Sequence, residues 1–361
     1  MPKISYKFGI PSEKYSDFKS DVSSTAQGLE LEHLIEFDDE KKSAHFYFDA
    51  DIIEMFFARK LDQKKYEFFC CNPARYQNCQ RFEDGRELSF ADARQQELAL
   101  YQSLQSHDSL GYIKNADLAK SCAQNHVIVG EYHPDPFPKT RLLKMISHWS
   151  QDKKKPVIAI ERLPSSLNDE LAKWLLDQQA QELPTVIKEY CKFIDEQNSK
   201  AGWSEIDGRD RELMKNSVEQ ILHAAKANHF DVMFFESEHS RVSCGAQANR
   251  HECLVTSALH LTKENPHKNF LFLAGAYHDD AQLEKVTLSK ALGANSCLMM
   301  SPELVRVFGD EAKKWHDRGR KEEGDLFAKM AQNLEKHLGE IEGSWVGRSG
   351  AASPRGDVVR S

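Results

Sequence analysis

The sequence lacks any long apolar run. No stretch approaches the roughly 18 apolar residues that a membrane-spanning helix needs. The first residues, Met1 to Lys14, mix charged side chains with isolated apolar ones, whereas a secretory signal peptide requires a continuous apolar segment. We therefore expect a soluble, cytoplasmic chain with no transmembrane segment and no Sec signal peptide.

Cysteines with the spacing of a metal or redox motif are also missing. The eight cysteines include no CxxC pair, and only Cys70, Cys71 and Cys79 lie near one another. Scattered cysteines of this kind predict buried thiols in a reducing compartment rather than disulfides or a zinc site. An excess of basic charge is missing too, because the formal net charge is -8, which argues against a nucleic-acid partner.

What the sequence does contain is a series of short apolar runs separated by segments with helical spacing. The first two runs start about 30 residues apart, the length of one βαβ unit, and this predicts that they pair in parallel. Near-continuous apolar strands alternating with helices are typical of a sheet buried on both faces. We therefore predict an α/β fold with a mostly parallel central sheet flanked by helices, its strands at 126–129, 157–160, 230–235 and 270–274.

The rest of the chain predicts smaller parts around this domain. The first residues are polar, the following segment has strand composition around Ala44–Phe48 and Tyr66–Cys70, and the charged C-terminal region has a broken apolar stripe. The predicted organisation is a loosely ordered lead-in (1–40), a small N-terminal α+β module (41–105), the α/β domain (106–300), amphipathic C-terminal helices packing on the core (301–342) and a disordered tail (343–361).

Charged residues follow all four predicted strands. Because ligands bind beyond the carboxyl ends of parallel strands, these positions should converge on one site. Burying several like charges together costs several kcal/mol each unless a cation or substrate offsets them, so the pattern favours a functional role. The strand ends are Gly130–Asp135, Glu161–Arg162, Glu236–His239 and Gly275–Asp280.

Two of these ends share the pattern Gly-x-Tyr-His-x-Asp, at Gly130–Asp135 and Gly275–Asp280. Glycine at a strand end allows close approach of another group, and paired histidines beside carboxylates suit either a borderline metal ion or acid–base chemistry near neutral pH. Between the third and fourth strands, Arg250 opens a predicted helix. Its guanidinium would neutralise carboxylates or hold an oxyanion.

These motifs resemble the Tiki / ChaN-like / erythromycin-esterase superfamily, in order and number. The chain has a first strand ending GExH at Gly130–His133, a second ending in Glu161, a later Asn-Arg pair and a last strand ending GxxH at Gly275–His278. The similarity covers about residues 120–300 and is greatest to copies found in bacterial toxins and secreted effectors. One departure is His251, where the family has an acid or Asn. The resemblance implies an α/β fold with a site formed by Glu131, His133, Glu161, Arg250 and His278.

The preferred functional hypothesis is a hydrolase, esterase-like or metalloprotease-like, that acts on a small-molecule or peptide substrate. Either a divalent metal ion is held by the paired histidines and nearby acids, or the same groups act as a His/Glu acid–base set. The Glu236–His239 end matches no family motif, so we place it at the rim of the site. The four candidate metal ligands are His133, His278, Glu131 and Glu161.

Two other hypotheses stay open. One is a non-catalytic haem-, iron- or metal-binding protein in which Tyr132 or Tyr277 is an axial ligand. The other is a secreted effector or toxin domain that works as a host-interaction module, with a host protein as its partner and the host cytosol as its location. The cofactor therefore remains unknown, with a divalent metal as the first candidate and haem as the second.

Overall fold

The computed structural model describes residues 4–48, 50–58, 61, 66, 69, 79–104, 111–113, 117–149, 154–200, 217–236, 247–279, 286–299 and 304–341. The chain divides into two compact units, Met1–Cys297 and Leu298–Ser361. Predictions that fall on the Cys70–Cys71 pair, on Glu238 and His239, or on the 343–361 tail lie outside the described residues.

The first sheet is antiparallel and has five strands in the order β2-β3-β1-β4-β5. Its middle strand β1 alternates polar and apolar residues, with Tyr6 and Phe8 buried, which is the period of a strand with one covered face. Helix α1 packs its apolar stripe, including Phe18 and Val22, into the same core. The strands are β1 Ile4–Gly9, β2 Ile35–Asp38, β3 Ser43–Phe46, β4 Cys79–Glu83 and β5 Arg86–Glu87, and α1 is Tyr15–Gln27.

The expectation of a loosely ordered lead-in at 1–40 is therefore wrong. Residues 4–38 supply β1, β2 and α1 of this sheet, and β1 pairs with both β3 and β4. The polar composition of this segment suggested disorder, but a strand in a sheet with one exposed face needs an apolar residue only at every second position. Short alternations such as Tyr6 and Phe8 carry that signal even in a Ser- and Lys-rich stretch.

The second sheet has six strands in the order β6-β11-β7-β10-β8-β9. The pairs β7–β10, β10–β8 and β8–β9 are parallel, and helices lie in the connections, so the predicted α/β class is confirmed. The strands are β6 Gly111–Tyr112, β7 Val127–Glu131, β8 Val157–Pro164, β9 Val232–Glu236, β10 Phe270–Gly275 and β11 Asn295–Leu298.

Direct pairing of the first two predicted strands is wrong, because β10 lies between β7 and β8 and bonds to both. All six residues of β10 are buried, as a strand covered on both faces and both edges requires. Spacing along the chain indicates which strands run parallel. The order of the strands in the sheet depends instead on which strand would expose most apolar surface at an edge.

Helices connect and cover these strands. The helical spacing between the apolar runs is confirmed in general, whereas α7 and the short α10 were not predicted. The helices after α1 are α2 Ala50–Ile52, which continues as a π-helical turn at Ile53–Ala58, α3 Phe90–Ser103, α4 Leu118–Gln124, α5 Pro136–Ser147, α6 Asn168–Leu176, α7 Thr185–Lys200, α8 Ser217–Ala227, α9 Gln247–Glu264 and α10 Leu288–Leu292.

The second unit contains the two expected C-terminal helices, α11 Leu304–Asp317 and α12 Lys321–Ile341. They are joined by a tight turn at Gly319, whose φ of 73° suits glycine, and the Phe308 and Phe327 rings meet 6.2 Å apart between them. Across the described residues of the chain, none of the helices has the length and apolarity to span a membrane. The described cysteines are free thiols.

Candidate functional site

Three carboxylates lie together at the carboxyl ends of the central strands. Glu131 ends β7, Glu161 lies within β8 and Glu236 ends β9, with only 5%, 3% and 1% of each residue exposed. Parallel pairing brings these ends to one edge of the sheet, and the register places Gly275 of β10 opposite Glu131. The strand pairing therefore brings together the acidic strand ends that the sequence led us to expect at one site.

Glu161 is the centre of the cluster. Its Oε1 atom accepts a hydrogen bond of 2.8 Å from Arg250 Nη2, and its Oε2 accepts one of 2.6 Å from the Gly275 backbone N–H. The Nε2 atoms of His133 and His278 both lie 3.5 Å from the same Oε1. Both imidazoles thus lie next to one buried oxygen, and their Nε2 atoms are no more than twice that distance apart.

Gly275 makes this close approach possible. A Cβ atom at this position would lie 3.3 Å from His133 Nε2, 3.5 Å from His278 Cδ2 and 3.6 Å from Glu161 Oε2. The first distance is tighter than ordinary carbon contacts, so a side chain would push the imidazoles away from the carboxylate. This glycine, identified in the sequence as a close-approach position, lets three strands bring their ends together.

The conformation after Glu161 is strained. Arg162 has a positive φ of 73° and β8 carries a register irregularity between Ile160 and Pro164. A non-glycine residue in this region costs about 1 kcal/mol or more, and a bulge re-aims the neighbouring side chain. Arg162 Nη1 donates a 2.5 Å hydrogen bond to Asn198 Oδ1 of α7, which holds the irregular turn in place.

His133 is oriented by Glu131. Its Nδ1 lies 2.9 Å from Glu131 Oε1, and because an ionised carboxylate only accepts, Nδ1 carries the proton and Nε2 faces Glu161. Burial alone would lower the pKa of His133, but the carboxylates of Glu161 and Glu131 outweigh it and raise that pKa. The site therefore stabilises an imidazolium here.

Lys139 completes this part of the site and was not predicted from the sequence. It lies on α5, 5% exposed, with Nζ 2.9 Å from Glu131 Oε2 and donating to the carbonyl oxygen of His133. Burial would raise the pKa of Glu131, but the Lys139 ammonium and His133 outweigh it and lower that pKa. A lysine one helical turn into the helix after a GExH strand is the signal that could have identified it.

Arg250 joins two carboxylates. Besides Glu161, its Nη2 donates a 3.0 Å hydrogen bond to Glu236 Oε1. The placement of the Glu236 end at the rim is thus wrong for Glu236, which is buried beside the centre of the site because β9 is the immediate neighbour of β8. Burial would raise the pKa of Glu161, but the imidazoles of His278 and His133 hold it well below its usual range.

Among the described residues, the cluster leaves room for a protonated histidine. Three carboxylates face two permanent cations, Lys139 and Arg250, so one net negative charge remains for an imidazolium. Uncompensated buried charge is costly. The raised pKa of His133 favours the imidazolium form at this position.

His278 has a different second partner. It lies in a 3₁₀ turn, Ala276–Asp279, directly after β10, and its Nδ1 lies 3.0 Å from Nδ1 of His251. His251 is 1% exposed and its Nε2 donates to the Val286 carbonyl oxygen at 2.8 Å. The sequence marked His251 only as a departure from the family pattern, whereas the structure places it against a site histidine.

An aspartate just after each site histidine fixes the turn that carries it. Asp135 caps α5, accepting a 3.1 Å hydrogen bond from the Phe137 N–H, as an N-terminal aspartate commonly does. Asp279, one residue before the second motif's aspartate, accepts a hydrogen bond of 2.8 Å from the Ser289 N–H and another from the Ser296 hydroxyl. These three bonds fix the turns that carry the histidines.

The metal and haem hypotheses gain no geometric support. Within the described part of the chain, no three His, Cys, Asp or Glu side chains form a group able to hold a metal ion. Arg250 and the Gly275 N–H bind Glu161, and Lys139 binds Glu131. The four predicted metal ligands therefore stay a prediction. Tyr132 and Tyr277, both half-buried beside the site, remain predicted ligands only.

Comparison with known proteins supports the fold. No family model matches the sequence. No curated protein matches it either. Among solved structures, one similar chain is the MARTX toxin effector domain RRSP of Vibrio vulnificus CMCP6, with a TM-score of 0.53 and 14% identity over 82% of this chain and 64% of that one. The C-terminal region of Pasteurella multocida toxin, described with a thiol-protease like catalytic triad, has a TM-score of 0.46 and 12% identity over 80% of this chain and 42% of that one. The type III effector HopBA1 has a TM-score of 0.32 and 15% identity over 49% of this chain and 78% of that one.

These structural neighbours are bacterial toxin and effector domains. The TM-score of 0.53 to the Vibrio domain shows a shared fold, and 14% identity carries the likeness no further than the fold. This chain spans 64% of the length of that domain.

Proposed function

We propose that this chain is a hydrolase that uses its two site histidines as an acid–base pair, without a metal ion in the reaction. The observation that carries the proposal is the placement of both Nε2 atoms 3.5 Å from one buried oxygen of Glu161. Each ring is also held at its Nδ1 atom by a separate partner. Two imidazoles whose Nε2 atoms lie near one carboxylate oxygen suit proton transfer at a single substrate bond.

His278 is the general base in this mechanism. With its Nδ1 proton directed at His251, the Nε2 lone pair is available to remove a proton from water. The water oxygen then attacks the carbonyl carbon of an ester or amide. A positioned base of this kind typically contributes about 10²–10⁴-fold in rate.

His133 is the general acid. Its imidazolium, stabilised by Glu131 and Glu161, donates the Nε2 proton to the leaving oxygen or nitrogen as the bond to carbon breaks. The proton on His278 then returns to His133 through water, which restores both side chains. Active sites commonly assign acid and base roles to two neighbouring titratable groups by placing them in different environments.

Arg250 and Glu161 organise the charge. Arg250 is bound to two carboxylates but keeps 34% of its side chain exposed, so it supplies positive charge for the oxyanion that forms on the substrate. Glu161 binds the guanidinium and the His133 imidazolium, and its Oε1 atom lies where it stabilises the positive charge that His278 acquires when Nε2 takes a proton from water. Such preorganisation avoids reorientation during the reaction.

The reaction class and setting that we propose follow the Tiki / ChaN-like / erythromycin-esterase type, in a bacterial toxin or effector. Support comes from the order of the GExH, Glu, Asn-Arg and GxxH motifs and from the fold shared with a toxin effector domain. The proposed substrate is a peptide, a host protein or a small ester.

The test is hydrolysis of ester and peptide panels by the wild type and by His133→Ala and His278→Ala variants. We expect each variant to lose at least about 100-fold in kcat, and chelators to leave the wild-type rate unchanged. His260→Ala is the matched control, because His260 is exposed on α9, the helix that carries Arg250. Wild-type rates in both site variants would refute the acid–base pair, and a rate restored only by added metal would refute the metal-free mechanism.

A further inference from the structure

One buried histidine contacts the proposed general base without touching the substrate in the steps above. His251 lies on α9 next to Arg250, and only 1% of it is exposed. Its ring meets the edge of Tyr101 from α3 at 6.0 Å between centroids. Both ring nitrogens have a partner at hydrogen-bond distance, Val286 O at 2.8 Å and His278 Nδ1 at 3.0 Å.

The two partners fix the direction of the hydrogen bonds. A backbone carbonyl can only accept, so Nε2 of His251 carries a proton and donates it to Val286. In a neutral His251, Nδ1 is then an acceptor. The proton between the two rings must therefore belong to Nδ1 of His278. The rings are inclined by only 6°, so the lone pair of one lies nearly in the plane of the other.

We propose that His251 is a positioning residue that holds His278 in the Nδ1–H tautomer, with the Nε2 lone pair directed into the site. This inference rests on the proposed function, since a general base needs that lone pair. Without His251, the Glu161 oxygen 3.5 Å from Nε2 would attract the proton to Nε2 and leave the lone pair facing away. His251 thus decides which nitrogen of His278 reacts.

His251 also explains how two similar histidines receive different roles. At its Nδ1, His133 has the carboxylate of Glu131, which favours an imidazolium, whereas His278 has a neutral imidazole at the same position. A neutral acceptor fixes the tautomer without adding negative charge. Burial lowers the pKa of His251 to about 4, with the charge of His278 adding to this effect and the Val286 carbonyl opposing it.

The tautomer can be read without any substrate. In ¹⁵N-histidine-labelled protein at a pH where His278 is neutral, long-range ¹H–¹⁵N spectra distinguish a protonated from an unprotonated ring nitrogen, and the His278→Ala variant assigns the signals. We expect a protonated Nδ1 and an unprotonated Nε2 in the wild type, and the reverse in His251→Phe. An unprotonated Nδ1 in the wild type would overturn the proposal, whatever the protein's activity proves to be.

Kinetics supply the second readout. His251→Phe keeps the ring size but removes the acceptor, so kcat should fall by about tenfold to 100-fold with KM little changed. His251→Asn can present an amide oxygen to His278 and should recover most of this loss, to within about fivefold of wild type, the effect of one ordinary hydrogen bond. His260→Asn on the same helix is the control.

The outcomes separate the two proposals. Hydrolysis unaffected by His278→Ala refutes the proposed function, while the spectra still report whether His251 sets the tautomer. A rate that depends on His278 but is equal in wild type and His251→Phe refutes the positioning role alone. Equal losses in the Phe and Asn variants, with the His278 tautomer unchanged in both, would assign His251 to packing and also refute it.

Discussion

Acid should destabilise this protein through His251. Burial, the largest cause, lowers its pKa from 6.5 to about 4, the charge of His278 lowers it further, and the Val286 carbonyl opposes the change. In the unfolded chain the same ring titrates near its ordinary value of about 6.5. Between those two values the unfolded state binds one more proton than the folded state, so the free energy of unfolding decreases as the pH falls.

The magnitude follows from the two pKa values. The full difference corresponds to about 3 kcal/mol, of which about 2 kcal/mol should be lost between pH 7 and pH 5. His133 acts in the opposite sense. Its folded pKa is raised, so its contribution is complete below its unfolded pKa and is lost as the pH rises through the folded one. Comparison with a variant at position 251 alone cancels the His133 contribution.

The assay is urea unfolding of the wild type and His251→Asn at pH 7 and pH 5. The stability advantage of the wild type over the variant should shrink by about 2 kcal/mol on acidification. His260→Asn, which replaces an exposed histidine of the same helix, should follow the wild type at both pH values. An advantage that stays constant from pH 7 to pH 5 would show that His251 is not held neutral by burial, and the reasoning would fail.

Three further changes test other parts of the structure. Glu161→Gln removes the largest cause that raises the pKa of His133, so NMR titration should give a lower His133 pKa and urea unfolding a loss of about 3 kcal/mol; an unchanged pKa would contradict the central role of Glu161. Lys139→Met removes the cation beside Oε2 of the buried Glu131 carboxylate and should lose about 3 kcal/mol, much of it recovered when Glu131→Gln is added in a double-mutant cycle. Lys226→Met removes three hydrogen bonds of 2.6–2.7 Å to the carbonyls of Trp174, Asp177 and Ala180 and should lose about 2 kcal/mol without changing kcat, since α8 leads to the opposite end of the sheet from the site.

The sequence predicted the parts of the fold that depend on local patterns. Continuous apolar runs became β7, β8, β9 and β10 because a strand covered on both faces leaves no position for a polar residue. The strand order could not be predicted, because it depends on pairing energies between segments far apart in the chain. The short strand β11, at Asn295–Leu298, has too few apolar residues to stand out from a loop.

The site was predicted as far as its residues follow strands. His133, Glu161 and His278 could be inferred because parallel strand ends meet at one edge, and the structure brings them together around a single carboxylate oxygen. Lys139 was missed and His251 was marked only as a departure from the family pattern, because both lie on helices, where the residues that face a site depend on how the helix packs. Both would pass as ordinary helix residues in any composition-based analysis. Arg250, also on a helix, was predicted from the Asn-Arg motif alone.

Stability alone does not explain why the protein buries this cluster. Replacing buried ion pairs with apolar residues of similar volume is often neutral or stabilising, and the second sheet has abundant apolar side chains around it. Glycine at position 275 and the left-handed Arg162 add further cost at the same place. Strain and buried charge coincide here at one edge of the sheet, where one histidine has a charged partner and the other a neutral one. A site for proton transfer needs such an arrangement, whereas a packing core does not need it.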